Sequence, residues 1–119
     1  MQVRLEFPAR PEFLRLARLA AADLGSRAGF DYEEIEDLRI AVSELCAMIS
    51  GNGPAALSLS FSLSADTVRV EGSRPYPEAT LVADDLELAR GLVAAVVDEH
   101  DVSTDGHVAR FHLLKRRRR

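Results

Sequence analysis

The pattern of apolar residues predicts an α/β (α+β) two-layer sandwich: a mixed, mostly antiparallel sheet with three helices on one face, in the order β-α-α-β-β-α-β-β. Three observations carry this. The stretch LSLSFSLS alternates strictly, with Leu57, Leu59, Phe61 and Leu63 on one side and Ser58, Ser60, Ser62 and Ser64 on the other. Such a strand has one packed face and one wet face. Residues 32–50 carry apolar side chains at helical spacing behind a capping signal. A two-residue turn at Ala65-Asp66 then joins two alternating segments into a hairpin.

Taken in order, Gln2 to Phe7 alternates as a half-buried strand with Val3, Leu5 and Phe7 inward, and Pro8 ends it. Pro11 opens a helix, where its missing N–H is harmless. Phe13, Leu16, Ala17, Ala20 and Leu24 form that helix's apolar stripe, and Gly25 and Gly29 stop it. Asp31 is an N-cap with Glu34 three residues on, the pattern of a capping box. The second helix runs from Tyr32 to Ser50 on Ile35, Leu38, Val42, Leu45 and Ile49, widened by Ala41 and Met48, and Gly51-Asn52-Gly53-Pro54 ends it. After the strand at 57–64, Thr67 to Glu71 returns with Val68 and Val70 inward. Gly72 to Ala83, with Pro75 and Pro77, is a loop. Asp84-Asp85 caps a third helix reaching Glu99, with Leu86, Leu88, Leu92, Val93, Val96 and Val97 apolar. Asp101 to Ser103 is a short strand, Asp105-Gly106 a turn, and His107 to Leu114 a last strand with Ala109, Phe111 and Leu113 on one face.

The 119 residues suit one domain over 1–114, followed by a basic tail, Lys115–Arg119. With 47% hydrophobic and 29% charged residues the composition is that of a globular protein, and the apolar runs are too short to span a bilayer. MQVRLEFPAR has no apolar signal core, so the expected location is cytoplasmic. The tail holds five of the fifteen positive charges, so residues 1–114 carry ten against nineteen negative. An acidic body is a poor binder of nucleic acid. The tail is expected to be a frayed, solvated end, with contact to nucleic acid or an acidic partner as the other reading.

Little of the usual catalytic apparatus is present. The lone Cys46 excludes an internal disulfide and lies beside an apolar stripe, as a small core residue does. His100, His107 and His112 have no spacing suited to a shared metal, so no metal site is expected. Neither G-x-x-x-x-G-K-[ST] nor G-x-G-x-x-G occurs. The residue that asks for an explanation is Glu44, deep inside the second helix. Ile40 lies one turn before it and Met48 one turn after, on a line at the far edge of the helix from Leu38 and Leu45. Such an acid is either a surface charge or part of a site, because a buried carboxylate needs a partner or a solvated pocket.

DLRIAVSELCA, residues 37–47, resembles the N-box helix of the anti-sigma-factor serine kinases, small bacterial members of the histidine-kinase-like ATPase (GHKL) superfamily. The element order is similar along nearly the whole chain. Ala89-Arg90-Gly91-Leu92 resembles the family's second glycine motif, and Val97 to Val102 with the turn and strand after it resembles its closing pattern. The resemblance implies ATP and magnesium, with a helix glutamate as base, an asparagine one turn later on the metal, and an Asp-x-Gly-x-Gly loop holding adenine. Glu44 matches the glutamate, as a base or its vestige. Met48 stands at the asparagine position, and a thioether is a poor magnesium ligand. Glu71-Gly72-Ser73-Arg74-Pro75-Tyr76-Pro77 has no aspartate in register, and Glu71, one place off, points to the opposite face. Of the second glycine motif Gly91 remains, with Ala89 in place of the glycine before it. If nucleotide binds, Gly91 and Arg90 are the residues to hold it.

Three parts of the nucleotide site thus depart from the family together. The expectation is a regulatory binding protein with a degenerate site and no ATP or magnesium. By resemblance its partner is a sigma factor or an antagonist of the anti-sigma factor. The resemblance also implies a homodimer through the N-terminal strand and helix. The alternatives are an active ATP-dependent serine kinase with an atypical site, an unrelated sandwich whose tail recruits nucleic acid, and a pocket that holds some other small molecule.

Overall fold

Alternation at the two ends of the first half of the chain produces the first pair of strands. β1 (Gln2–Pro8) lies antiparallel to β2 (Ala56–Ser64), with Leu5 opposite Leu59 and Phe7 opposite Leu57. The structure, a computed structural model, describes residues 1–50, 55–75 and 86–118. Between the two strands run α1 (Leu14–Arg27), preceded by a 3-10 turn at Pro11–Phe13, and α2 (Tyr32–Ser50). β3 (Thr67–Pro75), α3 (Leu86–Val96), β4 (Glu99–Thr104) and β5 (Val108–Arg116) complete the chain. The five strands form one sheet in the order β1-β2-β3-β5-β4. The predicted element order holds. Every strand pair in it is antiparallel, so the mixed character expected from the sequence has no parallel pair among the described residues.

The core lies between this sheet and the helices. Leu57, Leu59, Phe61, Val68, Val70, Phe111 and Leu113 meet Leu38, Val42, Leu45 and Ile49 of α2. Burial of a continuous apolar layer of this kind supplies the main driving force for the fold. The opposite sheet face carries the half-buried Ser58, Ser60 and Ser62 beside exposed Arg4, Glu6 and Glu71.

The ends of α1 and α2 follow local chemistry. Gly29 takes φ 84°, and the N–H groups of Gly29 and Phe30 reach back to the carbonyls of Ser26 and Gly25, a Schellman stop. Gly25 is therefore inside α1 and does not stop it. It packs against Phe30 and Ile35, where a Cβ would lie 3.2 Å from the Phe30 ring. The capping box forms as expected: the Glu34 N–H donates to Asp31 Oδ1 (2.8 Å) and the Asp31 N–H to Glu34 Oε1 (2.9 Å).

Other expectations are corrected. The buried stripe of α1 is Leu14, Ala17, Ala21 and Leu24, and Leu16 is exposed because it lies on the opposite flank of Ala17. β3 continues past Glu71 to Pro75, paired with β5 throughout, so Gly72 to Pro75 are strand, with the proline at the strand's end where its missing N–H is tolerated. The rest of that predicted loop, the Asp84-Asp85 cap and the Gly51–Pro54 breaker lie outside the described residues. α3 ends at Val96, not near Glu99, because Glu99 already pairs with Leu114 in β4. Of its apolar residues only Val93 is buried, while Leu88 and Leu92 are exposed. The basic run does not hang free. Lys115 and Arg116 belong to β5, and the Arg117 N–H donates to the Asp66 carbonyl in the β2–β3 turn.

Candidate functional site

Helix α2 carries Glu44 on its flank toward α1. The side chain is half-buried in a shallow groove of about 220 Å³ lined by Arg18, Glu36, Arg39, Ile40 and Ser43. Arg18 crosses from α1 to donate to Ser43 Oγ (3.2 Å), and Arg39 donates to Glu36 Oε1 (2.7 Å). Both cations beside Glu44 thus hold other acceptors, and among the described residues none bonds to the Glu44 carboxylate. A groove-facing acid of this kind is free to accept a donor from a ligand or partner. The sequence alone did not indicate Arg18. Nothing in its spacing ties it to Glu44, since the two meet only through the packing of α1 on α2.

The line Ile40–Glu44–Met48 does not stay at one edge of the helix. Each step of four residues turns about 40° around the axis. Ile40 is 39% exposed, Glu44 is half-buried and Met48 is 1% exposed within the core. This rotation takes Met48 off the far-edge line and bears out its place in the widened apolar stripe, among the core residues with Leu45 and Ile49.

β3 ends on the helix-facing side with Gly72 and Arg74. Gly72 lies beneath the Phe111 ring, where a Cβ would come within 2.2 Å of a ring carbon. Arg74 is 2% exposed, and its Nε donates to the Ala55 carbonyl (3.3 Å). Glu71 stands between two buried neighbours and is exposed on the opposite face, across from Ser60 and His112. The inward positions at this end of β3 therefore offer a glycine and a guanidinium where a nucleotide site of the implied kind needs a carboxylate. One turn beyond Glu44 stands a buried thioether, so none of these three positions carries an oxygen side chain of the kind the resemblance implies.

Arg90 and Gly91 sit on α3. The Arg90 guanidinium is turned onto β4 and donates to the Val102 carbonyl (2.9 Å). Gly91 is exposed, and a Cβ there would meet nothing within 4 Å. Neither residue lines the groove of Glu44, so the structure does not gather the three into one pocket.

The remaining titratable candidates have structural surroundings. Cys46 is fully buried, and burial pushes its thiol up to about 12, out of reach of nucleophilic chemistry. His100 is held below its ordinary 6.5, first by burial and then by the nearby Arg90 charge. Asp105 is held well below the usual carboxylate range by Arg110 and by the N–H groups of His107 and Val108, bonds that close the β4–β5 turn. Among the described residues no three His, Cys, Asp or Glu side chains could hold a metal ion together. None of the described helices is long and apolar enough to cross a membrane. A larger concavity, about 630 Å³, lies on the open sheet face between Arg4, Ser58, Ser60, Glu71, Ser73 and Arg110.

No protein-family profile matches the chain. Among curated proteins, 43 residues are 56% identical to serine-protein kinase RsbW of Listeria monocytogenes serotype 4b (strain F2365), covering 36% of this chain and 27% of that protein. The protein of the same name from Bacillus subtilis (strain 168) is 48% identical over 44 residues, 37% of this chain and 28% of its own length. That of Bacillus licheniformis is 32% identical over 74 residues, 57% of this chain. These matches span less than half of the relatives' own lengths, 27% to 46%. Over the matched part, the chain is similar to bacterial serine-protein kinases named RsbW.

Proposed function

We propose that this chain is a regulatory protein of the anti-sigma-factor-kinase type that acts by binding another protein, a sigma factor or an antagonist of the anti-sigma factor, with its nucleotide site lost or weakened. The observation that carries this reading is Met48, 1% exposed in the core at the position where the resembled family holds magnesium. Arg74 and Gly72 at the inward end of β3 support it, since neither can accept from an adenine amino group through its side chain. Isothermal titration with Mg-ATP is expected to give no heat of binding at micromolar concentrations. A magnesium-dependent micromolar affinity would overturn the loss of the nucleotide site. Capture of a sigma factor or its antagonist from the native host, weakened by Glu44→Lys, tests the binding role separately. The family resemblance also leads us to propose a homodimer, to be read by sedimentation equilibrium.

The name of the relatives and the groove around Glu44 favour a second reading, an active serine kinase with Glu44 as base. It predicts phosphoryl transfer to the partner that Glu44→Gln abolishes. No transfer by the wild-type chain to a captured partner removes it.

A further inference from the structure

The three residues that follow Lys115 are tied to three separate parts of the molecule. The Arg116 N–H donates to Asp98 Oδ2 just beyond α3 (2.7 Å), the Arg117 N–H to the Asp66 carbonyl in the β2–β3 turn (2.8 Å), and the Arg118 N–H to Glu34 Oε2 in the first turn of α2 (2.6 Å). Lys115 itself is buried, donating from Nζ to the Val96 carbonyl at the end of α3 (2.7 Å) with Asp37 Oδ2 at 3.9 Å. The guanidinium of Arg117 lies over Gly29, where a Cβ would be 2.7 Å from Nη1. That of Arg118 stands 3.5–3.8 Å from Asp31, Glu33 and Glu34.

Glu34 is the pivot. Its side chain is 2% exposed, and a carboxylate removed from water must have its oxygens satisfied. One oxygen accepts the Asp31 N–H within the capping box; the other accepts the Arg118 N–H, 84 residues away in the chain. The cap of α2 is therefore completed by the basic run. α2 is also the helix that carries Glu44.

We propose that residues 115–118 are a strap that fastens the first turn of α2 to the end of α3 and the β2–β3 turn. The strap engages Arg118 with the acidic N-terminus of α2, so an external polyanion has to compete with Asp31, Glu33 and Glu34 for that arginine. Detaching it leaves a Glu34 oxygen without its donor and loosens the start of α2. The inference does not depend on whether nucleotide binds.

The test separates the backbone bond from the side chain. Arg118→Pro removes the N–H and the guanidinium, whereas Arg118→Ser removes only the guanidinium. Amide hydrogen exchange in the full chain is expected to quicken at least tenfold at Ile35 to Leu38 in Arg118→Pro, with Leu45 to Ile49 unchanged, and less than threefold in Arg118→Ser. Glu34→Gln leaves one acceptor oxygen for two N–H groups, so keeping the Asp31 bond turns an NH2 toward the Arg118 N–H and breaks that bond. It is expected to give the same local pattern at smaller amplitude, and serves if the proline variant does not fold. Exchange at Ile35 to Leu38 within twofold of wild type in both Arg118→Pro and Glu34→Gln, or a uniform rise along α2, overturns the strap.

Discussion

Met48 and Glu44 are one helical turn apart and live in different solvents. Restoring an oxygen ligand with Met48→Asn is expected to bury an amide without partners among core residues. It should cost at least about 2 kcal/mol of stability in urea denaturation and leave Mg-ATP binding absent. A gain of magnesium-dependent binding would contradict the assignment of Met48 to the core. His100 gives a pH signature. Its pKa is lowered in the fold, so below 6.5 the unfolded chain takes up the proton first. Its contribution is present above 6.5 and is lost as the pH falls through the lower, folded value. Stability measured between pH 7 and 5 should drop on the acid side, and His100→Asn should flatten that part of the slope. At this scale the sequence told the chemistry of a residue better than its surroundings. The type of Met48 is enough to doubt a metal, and its place in the widened apolar stripe is enough to expect burial, but the rotation that separates it from Glu44 is not visible in a line drawn every four residues. Arg18 was illegible because its meeting with Ser43 is a tertiary event.

The elements differ in how much local chemistry decides them. α2 was readable to the residue because Asp31 and Glu34 form a capping box and its stripe is wide. α1 was readable in place but not in facing, since a run rich in alanine and leucine fits more than one stripe. The sequence predicts β3 only as far as Glu71 because Gly72 and Pro75 are turn residues by composition. Within the sheet Gly72 serves a different need, the close approach of the Phe111 ring. Gly72→Ala is accordingly expected to cost about 1–3 kcal/mol through overpacking, seen as a lower urea midpoint with an unchanged slope. Gly91 is the opposite case. It lies exposed in α3 with no neighbour within 4 Å of a Cβ, so Gly91→Ala should raise stability by about 0.5–1 kcal/mol. If the same variant also weakens binding of a partner or ligand, the glycine is kept for a close approach from outside.

For the molecule as a whole, two layers and one sheet were legible because strict alternation in β2 can only mean a sheet with one dry face. The β2–β3 neighbourhood was legible from its two-residue turn, whereas the pairings β1–β2 and β3–β5 were not. The order β1-β2-β3-β5-β4 depends on pairings between distant segments. The basic run was illegible for the same reason: adjacent positive charges suggest a solvated end, and the acids that face Lys115, Arg116 and Arg118 are brought near only by the fold. Cys46 offers a whole-molecule probe. With a buried thiol raised to about 12, alkylation by iodoacetamide at pH 8 should be negligible in the native protein and should track global unfolding as urea is added. The position of β1 at the sheet edge has a consequence during synthesis. Among the described residues its strand partner is β2, with Gln2 opposite Ser62 and Pro8 opposite Ala56. At roughly 5–20 residues per second, β1 therefore waits on the order of 3–12 s on the ribosome before its mate has even been polymerised. Through that interval the nascent chain presents Val3, Leu5 and Phe7 unpaired, and a chaperone that holds short alternating segments would meet this protein at its first strand.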